Sequence, residues 1–338
     1  MKWYIAPGPE GDVVISSRIR LARNLKDYPF PSKLSEPQSK EVLEKCKNAA
    51  KPLKLKYLSM ESTPAIKRRM LVERHLTSPE MLTATSKKAL LLSDDEQISI
   101  MLGEEDHIRI QCMMSGLNLH AAFDLANKVD DVLEETLDYG FNPRYGYTTC
   151  CPTNTGTGLR ASCMLHLPAL TASGYIDTLL STVSKLGMTV RGVYGEGTKA
   201  KGNMYQISNQ ITLGIDERDS VKQLQELVKM VIEKERSVRK SLAKESGDKL
   251  EDMIWRSYGI LSNARLLTSD EAYKMISDIR LGINLGIIKT PPIETVNELL
   301  IITGPAHIAD ICRDNTPENR DRLRAATVRE KLNKGKEV

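Results

Sequence analysis

Aromatic side chains are scarce in this 338-residue chain, at 5% of positions with only three Phe. Too few flat rings remain for a platform that stacks successive bases. A formal charge of +4 over this length supplies no field for general polyanion binding, so no direct nucleic-acid contact is expected. The six cysteines, at positions 46, 112, 150, 151, 163 and 312, contain no C-x-x-C pair, which excludes a zinc or disulfide framework. No apolar run approaches bilayer length, and the opening MKWYIAPGPEGD has no apolar core of a secretory signal. A reduced, cytoplasmic protein without membrane contact is the expectation. The motifs G-x-x-x-x-G-K-[ST], H-R-D, D-F-G, H-E-x-x-H and G-x-S-x-G are all missing, which excludes P-loop enzymes and ordinary protein kinases.

What is present divides the chain in two. An apolar fraction of 41% beside 27% charged residues fits a globular protein, long enough for two domains. Period-two alternation predicts strands over 12–20, 188–193 and 205–213, and a strand pair over 97–114. Helical spacing predicts helices over 35–51, 118–139 and 168–186. Such a mixture implies an α+β fold, with helices on one face of a mainly antiparallel sheet. From Asp219 onward only helical spacing remains, broken at Ser246-Gly247-Asp248 and resumed over 248–262, 268–284 and 316–333. The expected units are residues 1–218 and an all-helical 219–338.

Four segments carry chemistry. Gly103-Glu104-Glu105-Asp106-His107-Ile108-Arg109 sets acid and base between two alternating runs. As extended chain it puts Glu105, His107 and Arg109 on one face and Glu104 and Asp106 on the other. A carboxylate and a guanidinium facing one cleft suit a substrate both cationic and phosphorylated; in isolation, a solvated acidic turn is the better reading. In Ser16-Ser17-Arg18-Ile19-Arg20 the residues Ser16, Arg18 and Arg20 share a face, with Ile15 and Ile19 on the other. Two adjacent guanidiniums repel unless an anion lies between them, and phosphate matches arginine bidentately. Surface salt bridges are the competing reading. The segment from Cys150 to Arg160 is rich in turn formers, and Gly156 and Gly158 permit close approach to a ligand. Cys151 is either a thiol ionised by nearby cations or a small apolar residue. Glu196, flanked by Gly195 and Gly197, sits in a mobile loop or in a glycine-rich hairpin. Phosphoryl transfer needs chiefly positioning, Mg²⁺ and positive charge, and Arg18, Arg20, Arg109, Arg160 and Arg191 supply charge from separate strand ends and loops.

In this order, SSRIR, EEDHIR, CPTNTGTGLR and RGVYGEG resemble the catalytic core of the guanidino (phosphagen) kinases across residues 12–214, and most closely the bacterial protein arginine kinases of the McsB type. The resemblance implies ATP with Mg²⁺ as cofactors and no metal held by protein ligands alone. It places Ser16, Arg18, Arg20, His75, Arg109, Arg160 and Arg191 around the nucleotide. Glu105 matches the catalytic base, Glu196 the second carboxylate that grips the guanidinium, and Cys151 the reactive cysteine. The face argument also selects Glu105 over Glu104. Two positions depart from the family pattern: Gly103 replaces a usual Asn, and Met164 stands where small-molecule members have His. Those members carry a helical domain before the SSRIR-like motif. Here the motif begins at Ser16, so that lid is expected to be missing and the site open to arginine within a protein.

The implied activity is transfer of the ATP γ-phosphoryl group to exposed arginine side chains of proteins, marking them for regulation or degradation in stress response. A kinase for free arginine or another small guanidine, and a silent phosphoarginine-binding adaptor, are the rival readings. The resemblance further implies that the helical domain forms a homodimer and binds phosphoarginine at Arg320-Asp321, with Arg313-Asp314 as a competing pair. It also implies a zinc-binding activator protein, a heat-shock repressor and the Clp unfoldase-protease as partners.

Overall fold

The computed structural model describes residues 2–192 and 201–333, with the side chains of Arg191 and Gly192 outside the description. The strands are β1 (Val14–Arg23), β2 (Lys56–Ser59), β3 (Ala89–Leu92), β4 (Ile98–Leu102), β5 (Ile108–Ser115), β6 (Phe141–Asn142), β7 (Gly146–Tyr147), β8 (Leu159–His166), β9 (Met188–Gly192) and β10 (Met204–Asn209). Eight of them form one sheet in the order β2-β3-β4-β5-β1-β8-β10-β9, while β6 and β7 pair apart. Every neighbouring pair is antiparallel, as the alternation implied.

The helices are α1 (Glu36–Ala49), α2 (Ala65–Glu73), α3 (Leu119–Glu134), α4 (Pro168–Ala172), α5 (Ile176–Lys185), α6 (Glu217–Asn263), α7 (Ser269–Asn284), α8 (Ile293–Ile302), α9 (Pro305–Ile311) and α10 (Pro317–Asn333). The side chain of Ser35 caps α1 and Gln38 returns the bond, a capping box that fixes where the helix begins. No helix among the described residues is long and apolar enough to cross a membrane.

One face of the sheet packs Ile19, Leu21, Ile100 and Ile110 against α1, α3, α4 and the first half of α6. The other face is covered only at its ends. At one end Leu90, Leu92 and Met101 pack with Leu71 of α2, Leu76 and Met81. At the other end α7 and α8 approach the sheet. The cleft lies between these covers. β3 is thus buried on both faces, which explains why its Ala-Leu-Leu-Leu shows no alternation and escapes a period-two reading.

Several expected elements take a different form. The helix over 168–186 is two helices, because Gly174 turns at φ +72° between α4 and α5. The break at Ser246 is a kink inside α6, where Ser246 leaves helical geometry at φ −141° and ψ 35°. Val221, Leu224 and Val231 before it join the sheet's core. Ile254, Tyr258 and Leu261 after it join a separate cluster with Ile276, Val296 and Val328. Helices α2, α8 and α9 and strands β2, β3, β6, β7 and β8 have no counterpart in the sequence reading. Ile15 does not face away from Ser16. A register shift in β1 between Val14 and Ser16 sends both into one cavity.

On the core face of β1 sits a buried cation, Arg23. Its Nη2 lies 2.7 Å from Asp130 of α3, its Nη1 donates to Thr157 O at 2.9 Å, and its guanidinium stacks 3.6 Å from the Tyr147 ring centroid. Asp130→Ala leaves that charge without its main counter-ion. The expected destabilisation is about 3–5 kcal/mol by urea unfolding, whereas under 1 kcal/mol would show that the carbonyls and Glu217, 3.8 Å from Nη2, suffice.

Candidate active site

Adjacent strands gather the basic residues. The register sets Arg20 of β1 directly opposite Arg160 of β8, and Ala22 opposite Arg109 of β5. Arg18 lies two residues before Arg20 and donates to Gln206 Oε1 at 2.7 Å. The backbone of Arg191 lies in β9 opposite Gln206, but its side chain and the whole of Glu196 lie outside the described residues. Arg18, Arg20, Arg109 and Arg160 line a single cleft of ≈ 600 Å³ with His75, Glu105 and Cys151. That volume falls in the range of roughly 300–1,000 Å³ typical of small-ligand sites.

Like charges facing each other across a ladder are unfavourable. Burial, then Arg160 and Arg109, pull the Arg18 pKa down to about 10. Burial and the same cluster lower Arg20 as well, and its buried Nε has no hydrogen-bond partner among the described residues. An anion bound among these guanidiniums would offset their repulsion. No group of three or more His, Cys, Asp or Glu among the described residues forms a metal cage. Mg²⁺ suits such a place, since it binds phosphate oxygens and waters with one or two carboxylates, and Glu104 and Glu105 stand at the cleft.

The acidic segment departs from the extended geometry expected of it. Residues 103–107 form a turn, closed by the Gly103 N–H donating to His107 O at 3.0 Å. Both glutamates therefore reach Arg109: Nη1 donates to Glu104 at 2.7 Å, and Nη2 to Glu105 at 2.9 Å. His107 turns inward instead of sharing their face. Its Nδ1 accepts from the Leu25 N–H at 3.0 Å, so the proton sits on Nε2, 2.9 Å from Pro29 O. The face argument for Glu105 thus fails, and burial distinguishes the pair instead. Glu104 is 1% exposed and also accepts from Ser78 Oγ, while Glu105 is 39% exposed. Burial raises the Glu105 pKa, Arg109 opposes that, and Asp106 and Glu104 add to it. A carboxylate so raised is a stronger base.

Asp106 was missed as a positioning residue. Its Oδ1 accepts from Asn24 Nδ2 and from the Cys150 N–H, both at 2.7 Å, tying the Glu105 loop to the Cys151 loop. The third acid of the run was the one available signal. Cys151 itself is partly exposed, 3.0 Å from Thr153 Oγ1. The glycines after it pack close against the chain, and Gly158 also lines the cleft. A Cβ on Gly156, at φ +118°, would meet Thr212 O at 2.1 Å, and one on Gly158 would meet Ala22 O at 2.7 Å.

Ser16 lines a narrower second cavity that shares Arg18, His75 and Gln206 with the cleft, and Met164 lines it too. Burial and then Arg18 hold the His75 pKa at about 4, so the imidazole there is neutral. His166, fully buried against Ser277 of α7, is also held well below the ordinary value by burial, then Arg280 and Arg239. Between about pH 4 and 6.5 both rings stay neutral in the folded protein and take up protons on unfolding. Their contribution to stability is therefore complete above about pH 6.5 and declines as pH falls toward 4. Urea midpoints at pH 7 and pH 5 should differ less in His166→Gln than in the wild type. An equal difference would contradict the assignment.

Arg320 and Asp321 lie on α10, away from the cleft. Arg320 Nη1 donates to Asn315 Oδ1 at 3.2 Å, while Asp321 is engaged by the buried Arg324 at 2.6 Å. Arg313 and Asp314 are both exposed in the segment before that helix.

The sheet and its basic cleft are those of a guanidino phosphotransferase. Residues 37–238 match the family model for the ATP:guanido phosphotransferase C-terminal catalytic domain. Residues 247–338, just past the Ser246 kink, match the protein-arginine kinase McsB C-terminal domain. The protein-arginine kinase of Desulforamulus reducens is 48% identical over 340 residues, covering 98% of this chain and 95% of its own. That of Bacillus subtilis strain 168 is 45% identical over 337 residues, covering 98% and 93%. Among solved structures, the duplicated taurocyamine kinase of Schistosoma mansoni with bound transition state analog components has a TM-score of 0.62 at 26% identity, over 69% of this chain and 34% of that one. Lombricine kinase has a TM-score of 0.61 at 27% identity, over 72% and 70%. The chain belongs to the protein-arginine kinases, within the ATP:guanido phosphotransferase family.

Proposed function

We propose that the cleft transfers the γ-phosphoryl group of ATP, in line, to a terminal guanidinium nitrogen of an arginine held in a protein. The observation that carries this reading is the meeting of Arg18, Arg20, Arg109 and Arg160 with Glu105 and Cys151 in one cleft. A guanidinium with pKa above about 12 is no nucleophile until it loses a proton. Glu105 orients the group and takes that proton, Glu196 holds its other edge, and Cys151 offsets its charge. A nitrogen–phosphorus bond forms as the bond from Pγ to the ADP oxygen breaks. The arginines hold the oxygens of the migrating group, and Mg²⁺, when bound, neutralises phosphate charge beside them. Ser16, His75 and Arg191 complete the nucleotide contacts.

Relatives named for protein arginine, matched over nearly their whole length, favour a protein substrate. The motif resemblance read from the sequence further implies a cytoplasmic role in stress response, phosphoarginine capture near Arg320 and Asp321, and the activator, repressor and Clp partners. Met253, Trp255, Ile260 and Leu266, all exposed on and after the second half of α6, support a homodimer through the helical domain. The test is incubation with Mg·ATP and either an unfolded protein or free arginine, followed by mass spectrometry at neutral pH. Phosphoarginine on the protein supports the reading. Faster turnover of free arginine defeats it.

A further inference from the structure

We infer that Asn297 of α8 and Trp3 read the edge of the nucleotide's purine base, which makes the C-terminal helices part of the ATP site. The inference rests on the cleft being an ATP site and goes on from there. The second cavity opens from the phosphate cleft through Arg18, His75 and Gln206, which line both. Its volume of ≈ 70 Å³ is several times the roughly 10–15 Å³ that one water needs on the same scale, so it has room for more than a single water. Met113, Met164 and Met204 give it soft thioether walls from the sheet, and Tyr273 and Leu300 close it from α7 and α8. Thioethers pack well against aromatic rings. A cavity built this way continues a polyphosphate site in the manner a nucleobase requires.

Among the polar side chains of the lining, which include Ser16, Glu73, Ser162 and Lys201, two carry buried atoms without a partner. Trp3 is 5% exposed and Asn297 7%, and neither Trp3 Nε1 nor Asn297 Oδ1 has a partner among the described residues. The amide orientation is fixed, because Asn297 Nδ2 donates to Ile5 O at 3.1 Å and so leaves the oxygen for a ligand. Buried polar groups without partners are uncommon, and here one donor and one acceptor share a single cavity. Adenine answers both. Its 6-amino group donates to Asn297 Oδ1, and a ring nitrogen accepts from Trp3 Nε1–H. Guanine in the same pose would set its O6 acceptor against the Asn297 oxygen.

Discrimination by a single group on the base gives a test on the full-length protein. Equilibrium binding is measured for ATP, for purine riboside triphosphate, which lacks the 6-amino group, and for inorganic tripolyphosphate. The wild type is expected to bind ATP about tenfold tighter than the analogue, in line with one buried hydrogen bond. Asn297→Ala should bind the two alike. Trp3→Phe, which keeps an aromatic ring, should weaken both and retain the preference. Unchanged binding of tripolyphosphate shows that each variant keeps its arginine cleft. A wild type without preference for the 6-amino group, or an Asn297→Ala variant that keeps it in full, overturns the inference and leaves the ATP reading standing. Failure of the wild type to bind either nucleoside triphosphate overturns both.

Discussion

Glu105→Gln should lower the turnover of arginine phosphorylation by about 10²–10⁴-fold, the usual contribution of a general base, while ATP still binds. The amide keeps the size of the side chain and one of its acceptors but cannot take the proton that makes the guanidino nitrogen nucleophilic. Its neighbour gives the contrast. Glu104 is buried against Arg109 and Ser78, so Glu104→Gln acts through the position of Arg109 and should weaken nucleotide binding as well. A pH profile separates the two roles. Activity depends on ionised Glu105, whose pKa burial raises, so kcat/KM should climb with pH through a limb above the ordinary value of about 4.3. That limb should vanish in Glu105→Gln. An unaltered profile, or full turnover, would show that another group removes the proton.

Arg20→Ala carries an opposite pair of effects. Removing one preorganised donor to a phosphoryl group commonly costs about 10²–10³-fold in rate. Yet Arg20 is a cation among cations, facing Arg160 across the ladder and close to Arg18 and Arg109. The nucleotide-free variant should therefore melt no lower than the wild type, because mutual repulsion falls. Addition of Mg·ATP should raise the wild-type melting temperature and move the variant far less, since stabilisation by a ligand scales with its affinity. A nucleotide-free variant that melts several degrees lower would make Arg20 a structural residue instead.

The chemistry was more legible in the sequence than the architecture around it. Alternation located β1, β4 and β5 because each buries one face and leaves the other toward the cleft, and β1 and β5 carry Arg18, Arg20 and Arg109, whereas Arg160 lies on β8, which the alternation did not mark. Strand β3 escaped because both its faces are buried, and α8 and α9 escaped because their Ile- and Leu-rich runs are short. The acidic segment shows the limit of pattern reasoning. The family match and an extended-chain argument both point to Glu105, but a turn brings both glutamates to Arg109, and exposure singles out Glu105 in place of the face argument. Asp106 and Asn297 were out of reach for a different reason. Their partners, Cys150 and Ile5, are distant in sequence, and nothing local marks such a pairing. The second cavity is built in the same way, from Trp3, the sheet and α8 together.

The central claim is that four guanidiniums converge on a migrating planar PO₃ group while a carboxylate presents the nitrogen that receives it. Nitrate is planar and singly charged, and in place of that group between Mg·ADP and an arginine peptide it tests the claim directly. Calorimetric titration of the peptide into the Mg·ADP complex should show nitrate tightening peptide binding at least about tenfold, as transition-state mimics do. The effect should disappear in Arg20→Ala. Peptide affinity that is indifferent to nitrate in the wild type would contradict the account.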